Sequence, residues 1–322
     1  MGQKPKAVFL DFATLGPGVD TGVLDRLLDV DYFPYSSEAE IPARLAGCDV
    51  AIVNKARLSA DAIANADRLR LIVLSATGTD NVDLAAARRR GVAVANSRDY
   101  CTGSVVQHVF ALILCLNQSV LAYDRLSRSG DWSRSRSFPL FDHPIRELAG
   151  RALGIVGYGT LGRAVADVAT SFGMRVLVSG RPGARANGLP SGRLPFEQVL
   201  ADADVLSLHC PLTDETRHMI GAAELERMRP DALLINTARG ALIDNAALAD
   251  ALRAGRLGGA GIDVLPVEPP DDDQPLLAPD IPNLIVTPHV AWSALEARQR
   301  ALTQIAENVA SFFDGGNLRR VV

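Results

Sequence analysis

Cysteine is scarce in this chain of 322 residues. Cys48, Cys101, Cys115 and Cys210 share no close spacing, so neither a zinc site nor a disulfide framework is expected. An excess of one charge is also lacking. The 33 basic and 37 acidic side chains leave a net charge of −4 with no basic stripe, which argues against nonspecific nucleic-acid binding. No hydrophobic run is clean enough for a membrane span. The run Val105 to Leu121 is interrupted by Gln107, His108, Asn117, Gln118 and Ser119 and predicts a buried helix. The start, Met1 to Val8, has too few apolar residues for a signal peptide. Lys6 stands where N-myristoylation at Gly2 would want Ser or Thr. No internal repeat and no low-complexity segment is found. The expected setting is the cytoplasm.

What is present reads as two domains of ordinary size. At 48% hydrophobic and 22% charged, the composition is that of a globular protein. Short β-rich runs alternate with helical stretches. The predicted strands are Ala7–Leu10, Val50–Val53, Leu71–Leu74 and Val92–Ala95, then Ala152–Val156, Arg175–Val178, Val205–His209, Ala232–Asn236, Gly261–Val264 and Leu284–Thr287. Several are continuously apolar, as parallel strands covered on both faces must be. The alternation predicts an α/β fold with doubly wound parallel sheets. A long helix is expected from Gly103 to about Ser127. The polar stretch Ser127–Ser137 after it reads as an exposed arm. The last helix is expected to open with a capping box at Ser293-Ala294-Leu295-Glu296 and to close near Gly315-Gly316.

One segment points to a ligand. The apolar run Leu153–Val156 breaks into Gly157-Tyr158-Gly159-Thr160-Leu161-Gly162, and a helical pattern follows. A strand, a Gly-x-Gly-x-x-Gly turn and a helix form the order of a dinucleotide site. The helix N-terminus offers N–H groups and a positive dipole end to phosphates. Because this fingerprint lies at mid-chain, a separate α/β unit must precede it. In NAD sites an acidic residue follows the fingerprint by about twenty positions. Here the second strand ends Ser179-Gly180-Arg181. Gly180 removes the carboxylate and Arg181 offers a partner for a 2′-phosphate, so NADP(H) is favoured over NAD(H), with mixed use as the alternative. Downstream, Arg239, Glu268 and His289 each follow a predicted strand. These are the residue types that anion binding, acid/base tuning and proton transfer require.

At this point the chain resembles the D-isomer-specific 2-hydroxyacid dehydrogenases over nearly its whole length. The likeness rests on Ala76–Asp83, Gly154–Gly162, His209–Thr213, Asn236–Gly240, Asp263–Pro269 and Thr287–His289. Asp142–Gly150 and Val290–Trp292 carry a narrower similarity to glycerate dehydrogenases, also called hydroxypyruvate reductases. The resemblance implies a flavodoxin-like substrate domain over 1–102 and 293–322. It also implies a Rossmann cofactor domain over 103–292, with a dimerisation arm near 123–150 that includes Phe138, Phe141 and His143. A homodimer follows as an expectation.

The implied roles fit the physics. His289 is the acid/base, giving a proton to a keto oxygen as hydride arrives. Glu268 orients its ring and favours imidazolium. Arg239 holds the substrate carboxylate or keto oxygen. Ala76, Thr77 and Gly78 complete carboxylate binding through backbone N–H groups, and Asn54 and Lys55 either face the substrate or sit in a solvated loop. Besides the fingerprint and Ser179–Arg181, cofactor contacts are implied at His209, Cys210, Pro211, Thr216, Thr237 and Ala238, with Asp263 accepting from the nicotinamide carboxamide. Trp292 walls the pocket or a dimer face, or packs in the core. Domain closure would bring Thr77 and Gly78 toward Arg239 and His289. The expected reaction interconverts hydroxypyruvate or glyoxylate with D-glycerate or glycolate. Within the family, D-3-phosphoglycerate dehydrogenase or another D-2-hydroxyacid dehydrogenase is the alternative, and Glu268 argues against formate dehydrogenases. From another class the rival is an NAD(P)-sensing corepressor or scaffold.

Overall fold

Val50–Val53 and Leu71–Leu74 are buried at every position, as parallel strands covered on both faces should be. They belong to a computed structural model that describes residues 4–184 and 188–322. The expectation at Gly2 lies outside the described residues. The chain divides into two units, Met1–Cys101 with Trp292–Val322, and Thr102–Ala291.

In the first unit five parallel strands, β1 (Lys6–Phe9), β2 (Asp29–Tyr32), β3 (Val50–Val53), β4 (Leu71–Leu74) and β5 (Ala93–Ala95), lie in the order β2-β1-β3-β4-β5. This is the flavodoxin-like order. Strand alternation divides the side chains between two faces. Val8, Ala51, Val53, Ile72 and Leu74 meet Ile41, Leu45, Ile63 and Ala87 on one side. Phe9, Val50, Ile52, Leu71 and Val73 meet Leu24, Leu302, Ile305 and Val309 on the other. Trp292 is half-buried in this unit, edge-on to Tyr100 at 6.4 Å.

The second unit holds β6 (Ala152–Val156), β7 (Arg175–Ser179), β8 (Arg193–Leu194), β9 (Val205–Leu208), β10 (Leu233–Asn236), β11 (Gly259–Ile262) and β12 (Leu284–Val286). Their order is β12-β11-β10-β9-β6-β7-β8, with every pairing parallel. This is the Rossmann order extended by one strand, with the switch point between β6 and β9. The expected fold class, two doubly wound parallel sheets, is what forms.

Local expectations differ in instructive places. The edge strand β2 alternates Asp29-Val30-Asp31-Tyr32 and is half exposed, so it lacks the apolar run used to find its neighbours. The two-residue edge strand β8 is equally faint. β11 begins two residues earlier than expected. Its glycines look like a loop in sequence, yet a Cβ on Gly261 would lie 2.9 Å from Leu112 Cβ, so they admit helix Thr102–Asn117 close to the sheet. That helix ends at Asn117. A bend of 56° and a positive φ at Ser119 separate it from helix Val120–Arg128. No single described helix is long and apolar enough to cross a membrane. The polar arm contains a one-turn helix, Asp131–Arg134, tied by an Arg134–Asp131 ion pair at 2.7 Å. The expected capping box does not form. Helix Leu295–Phe313 starts after Ala294 with no side-chain cap, which puts Glu296 one position too early to reach back. The Ser293 carbonyl instead accepts from Arg298 Nε at 2.8 Å.

Candidate active site

The glycine turn after β6 is shaped by contact. Gly157 has φ +96°, and a Cβ there would lie 2.5 Å from Cys210 N and from the His209 carbonyl carbon. A Cβ on Gly162 would lie 2.1 Å from Gly157 O. By contrast, nothing approaches within 4 Å of where a Gly159 Cβ would stand, so that backbone is open to a ligand. Helix Thr160–Ser171 begins there without a side-chain cap, leaving first-turn N–H groups for an anion. Tyr158 and Leu161 are half-buried beside it. A tight turn, an open backbone approach and an uncapped helix start all fit a dinucleotide pyrophosphate.

Beside the turn is a cavity of about 410 Å³. Gly157, Ser179, Gly180, Arg181, Cys210, Pro211 and Thr216 line it, so seven of the expected cofactor residues meet on one concave surface. Arg193, from β8, and Glu215 line it as well, and neither was foreseen. Arg193 becomes visible once β8 is seen to pair with β7, placing Arg193 opposite Val178. Arg181 is exposed, while Ser179 is buried and its Oγ donates to Gly180 O at 2.7 Å. Burial pushes the Cys210 thiol up to about 11, which keeps it protonated and sluggish toward electrophiles.

His209 and Thr237 end the neighbouring strands β9 and β10. His209 is half-buried overall, but its Nδ1 is enclosed without a partner. Its Nε2 shares a hydrogen bond with Ser207 Oγ at 2.9 Å, and burial pushes the imidazole down to about 4. The ring is therefore neutral around pH 7, and it is the His209 backbone that presses on Gly157. Thr237 Oγ1 is likewise enclosed without a partner. Two orphaned polar atoms at the carboxyl edge of the sheet are what a polar ligand would relieve.

Further along the same edge stand Arg239, Glu268 and His289. Asn236, fully buried, shapes the first loop: its Oδ1 accepts from Ala238 N at 3.0 Å and its Nδ2 donates to Arg239 O at 2.9 Å. Half-buried Arg239 donates from Nη1 to Ala238 O at 2.7 Å. Gly240 lets this loop touch the next one. A Cβ on it would lie 2.1 Å from the Leu265 carbonyl carbon and 2.4 Å from Pro266 N. That second loop carries Glu268, whose Oε1 accepts from Leu265 N at 2.8 Å. Its Oε2 accepts from His289 Nδ1 at 2.5 Å. The expected His–Glu pair is therefore formed. With Nδ1 engaged, Nε2 is the nitrogen left for chemistry, and it meets no partner among the described residues.

Asp263, to which the resemblance gave the nicotinamide carboxamide, turns its side chain into the protein. Its side chain is fully enclosed. Oδ1 accepts from Thr287 Oγ1 at 2.6 Å and Val290 N at 2.9 Å, and Oδ2 accepts from Ala291 N at 2.9 Å. A carboxylate so occupied and so buried holds the loop after β12.

In the first unit, the N–H groups of Thr77 and Gly78 meet no acceptor among the described residues. Their loop is fixed by Thr77 Oγ1 donating to Ser97 O at 2.8 Å and by Asn96 Nδ2 donating to Thr77 O at 2.7 Å. Ala76 is half-buried next to them and accepts at its carbonyl from Ser97 N. Asn54 is a second such case. It is buried, and its Nδ2 donates inward to Thr14 Oγ1 at 3.0 Å. The cause is Asp11, whose buried carboxylate accepts from the backbone N–H groups of Asn54, Lys55 and Ala56. Lys55 is exposed. Asp11 escaped notice because an acidic residue after a strand has no local signature for gathering a loop more than forty residues away.

Residues 110–291 match the family described as D-isomer specific 2-hydroxyacid dehydrogenase, NAD binding domain. The glycerate dehydrogenase of Methylorubrum extorquens is 43% identical over 96% of this chain and 96% of its own. The glyoxylate reductase of Aeropyrum pernix is 38% identical over 80% and 78%. An acyclic imino acid reductase (Bsp5), solved in complex with NADPH and D-Arg, superposes with a TM-score of 0.85 at 28% identity, covering 98% of this chain and all of that one. A family match over residues 110–291 and 43% identity over 96% of the chain leave one assignment: the chain belongs to the D-isomer specific 2-hydroxyacid dehydrogenase family, nicotinamide-dependent oxidoreductases of small 2-keto and 2-hydroxy acids.

Proposed function

We propose that this enzyme is an NADP(H)-preferring reductase of hydroxypyruvate or glyoxylate, producing D-glycerate or glycolate. The carrying observation is the His289–Glu268 pair at 2.5 Å, in a loop system packed through Gly240 onto the Arg239 loop. When bound, the nicotinamide supplies or accepts the hydride. His289 delivers a proton from Nε2 to the keto oxygen, and Glu268 stabilises the imidazolium needed for that step. Arg239 grips the carboxylate and opposes negative charge developing on the carbonyl. The first unit acts as the substrate domain, with the Thr77 and Gly78 N–H groups as carboxylate donors. The second acts as the cofactor domain. The printed activities of the Methylorubrum and Aeropyrum relatives support this substrate class.

The cofactor preference rests on the cavity beside β7. Arg181 and Arg193 both line it, and Gly180 occupies the place where a carboxylate would repel a 2′-phosphate. Exposed Glu215 on the rim is one negative charge against two guanidinium groups. The NADPH complex of the imino acid reductase is in keeping with this. A panel of small 2-keto acids assayed with NADPH and NADH tests both parts. Hydroxypyruvate or glyoxylate with NADPH should give the highest kcat/KM. A strong NADH preference would sink the cofactor assignment, and no turnover with any acid would favour a sensing or scaffold role.

Homodimerisation through the region 123–150 is part of the proposal. Trp132, Phe138, Phe141 and Ile145 are exposed there, Phe138 by 89%, and apolar area of this kind seeks cover. His143 lies inward instead, edge-on to Tyr123 at 5.5 Å. Light scattering should report twice the chain mass, and Phe138→Asp with Phe141→Asp should halve it. A wild-type monomer would refute the dimer. The four free thiols suit a reducing compartment and with it a cytoplasmic location; recovery of the protein outside the cytoplasm on cell fractionation would contradict that.

A further inference from the structure

Helix Thr102–Asn117 carries a stripe that the reaction described so far does not use. Ser104, His108 and Leu112 recur every four residues and so share one face. Leu112 sits against Gly261 of β11. One turn earlier, His108 Nε2 lies 3.0 Å from Thr287 Oγ1 and 3.5 Å from Asp263 Oδ1. One turn earlier again, Ser104 Oγ donates to Ala291 O at 2.6 Å. The stripe thus touches both ends of the turn Thr287–Ala291 that bears His289.

The hydrogen-bond chemistry orders this network. The Thr287 hydroxyl has one proton and gives it to the carboxylate of Asp263 at 2.6 Å. It can then only accept from His108, so Nε2 of His108 carries the hydrogen. Asp263 in turn receives Val290 N and Ala291 N on its two oxygens, while its carbonyl receives His289 N at 2.8 Å. These donors and acceptors hold His289 at φ +54°, a left-handed conformation that is uncommon for a residue bearing a side chain. An imidazole is also an unexpected choice between Val105, Val109 and Leu112, which are all buried, if packing alone were required.

We infer that His108 is a positioning residue for the reaction: acting through Thr287 and Asp263, it sets the backbone turn that aims His289. This rests on the reading of His289 as the acid/base. The test compares His108→Leu, His108→Gln and His289→Ala in the full-length enzyme at a temperature well below every midpoint of unfolding. The readouts are kcat, NADPH affinity by fluorescence titration, and the imidazole nitrogen resonances of His289 by NMR. His108→Leu, which keeps bulk and loses the donor, should lower kcat by about tenfold, as expected for a small misplacement of a reacting group. It should leave NADPH affinity within about twofold and shift the His289 resonances. His108→Gln, whose amide can reach the same hydroxyl, should recover most of the rate. Wild-type turnover in the folded Leu variant, or a Gln variant as slow as Leu, overturns the inference and leaves the acid/base reading standing. Undiminished turnover in His289→Ala overturns both.

Discussion

Replacing His289 by alanine should lower kcat by about 10²- to 10⁴-fold, the usual contribution of a positioned acid/base. Cofactor affinity should barely change, because the glycine turn and the cavity beside β7 owe nothing to that side chain. Steady-state rates, with cofactor titrations alongside, decide the matter; a turnover number within a few-fold of wild type would take His289 out of the mechanism. Arg239→Ala makes the contrast. Its guanidinium is needed in both ground and transition states, so KM for the acid should rise most, with a smaller loss in kcat.

Gly240→Ala should be nearly as damaging although it removes no functional group. The added methyl would stand 2.1 Å from the Leu265 carbonyl carbon and 2.4 Å from Pro266 N. Both obstacles are backbone, so no rotamer change relieves them. One of the two loops must move, and these loops carry Arg239 and Glu268. Overpacking of this kind costs about 1–3 kcal/mol of stability, and a displacement near 1 Å costs about 10²-fold in rate. Denaturant melts together with kcat/KM measure the two effects. An alanine variant with wild-type stability and rate would mean that the loops are far more compliant than their hydrogen bonds suggest.

Much of this site could be read from residue order. Strands β3, β4 and β6 fall where their apolar runs place them, and Arg239, Glu268 and His289 stand out as reactive types just past strand ends. What escaped reading is the set of side chains that build the loops. Asp11 and Asp263 gather backbone N–H groups, Asn236 binds one N–H and one carbonyl, and their partners lie two to more than forty residues away. Nothing in an isolated Asn or Asp distinguishes that task from ligand contact, which is why Asp263 and Asn54 were assigned outward and are found inward. The capping box failed locally: the helix starts after Ala294, and Ser293 is engaged at its carbonyl by Arg298 within the helix's own first turns. The edge strands escaped because half-exposed strands carry no continuous apolar signal.

The first unit is assembled from both ends of the chain, with Leu302, Ile305 and Val309 lying on Phe9, Val50, Ile52 and Val73. During synthesis the strands of this unit emerge early, but the helix that covers their second face emerges only after the whole second unit. Until that helix arrives, an apolar sheet face stays open to misassociation, a hazard the contiguous second unit does not share. On ribosome-bound chains, exposed apolar surface should therefore persist longer on the first unit than on the second.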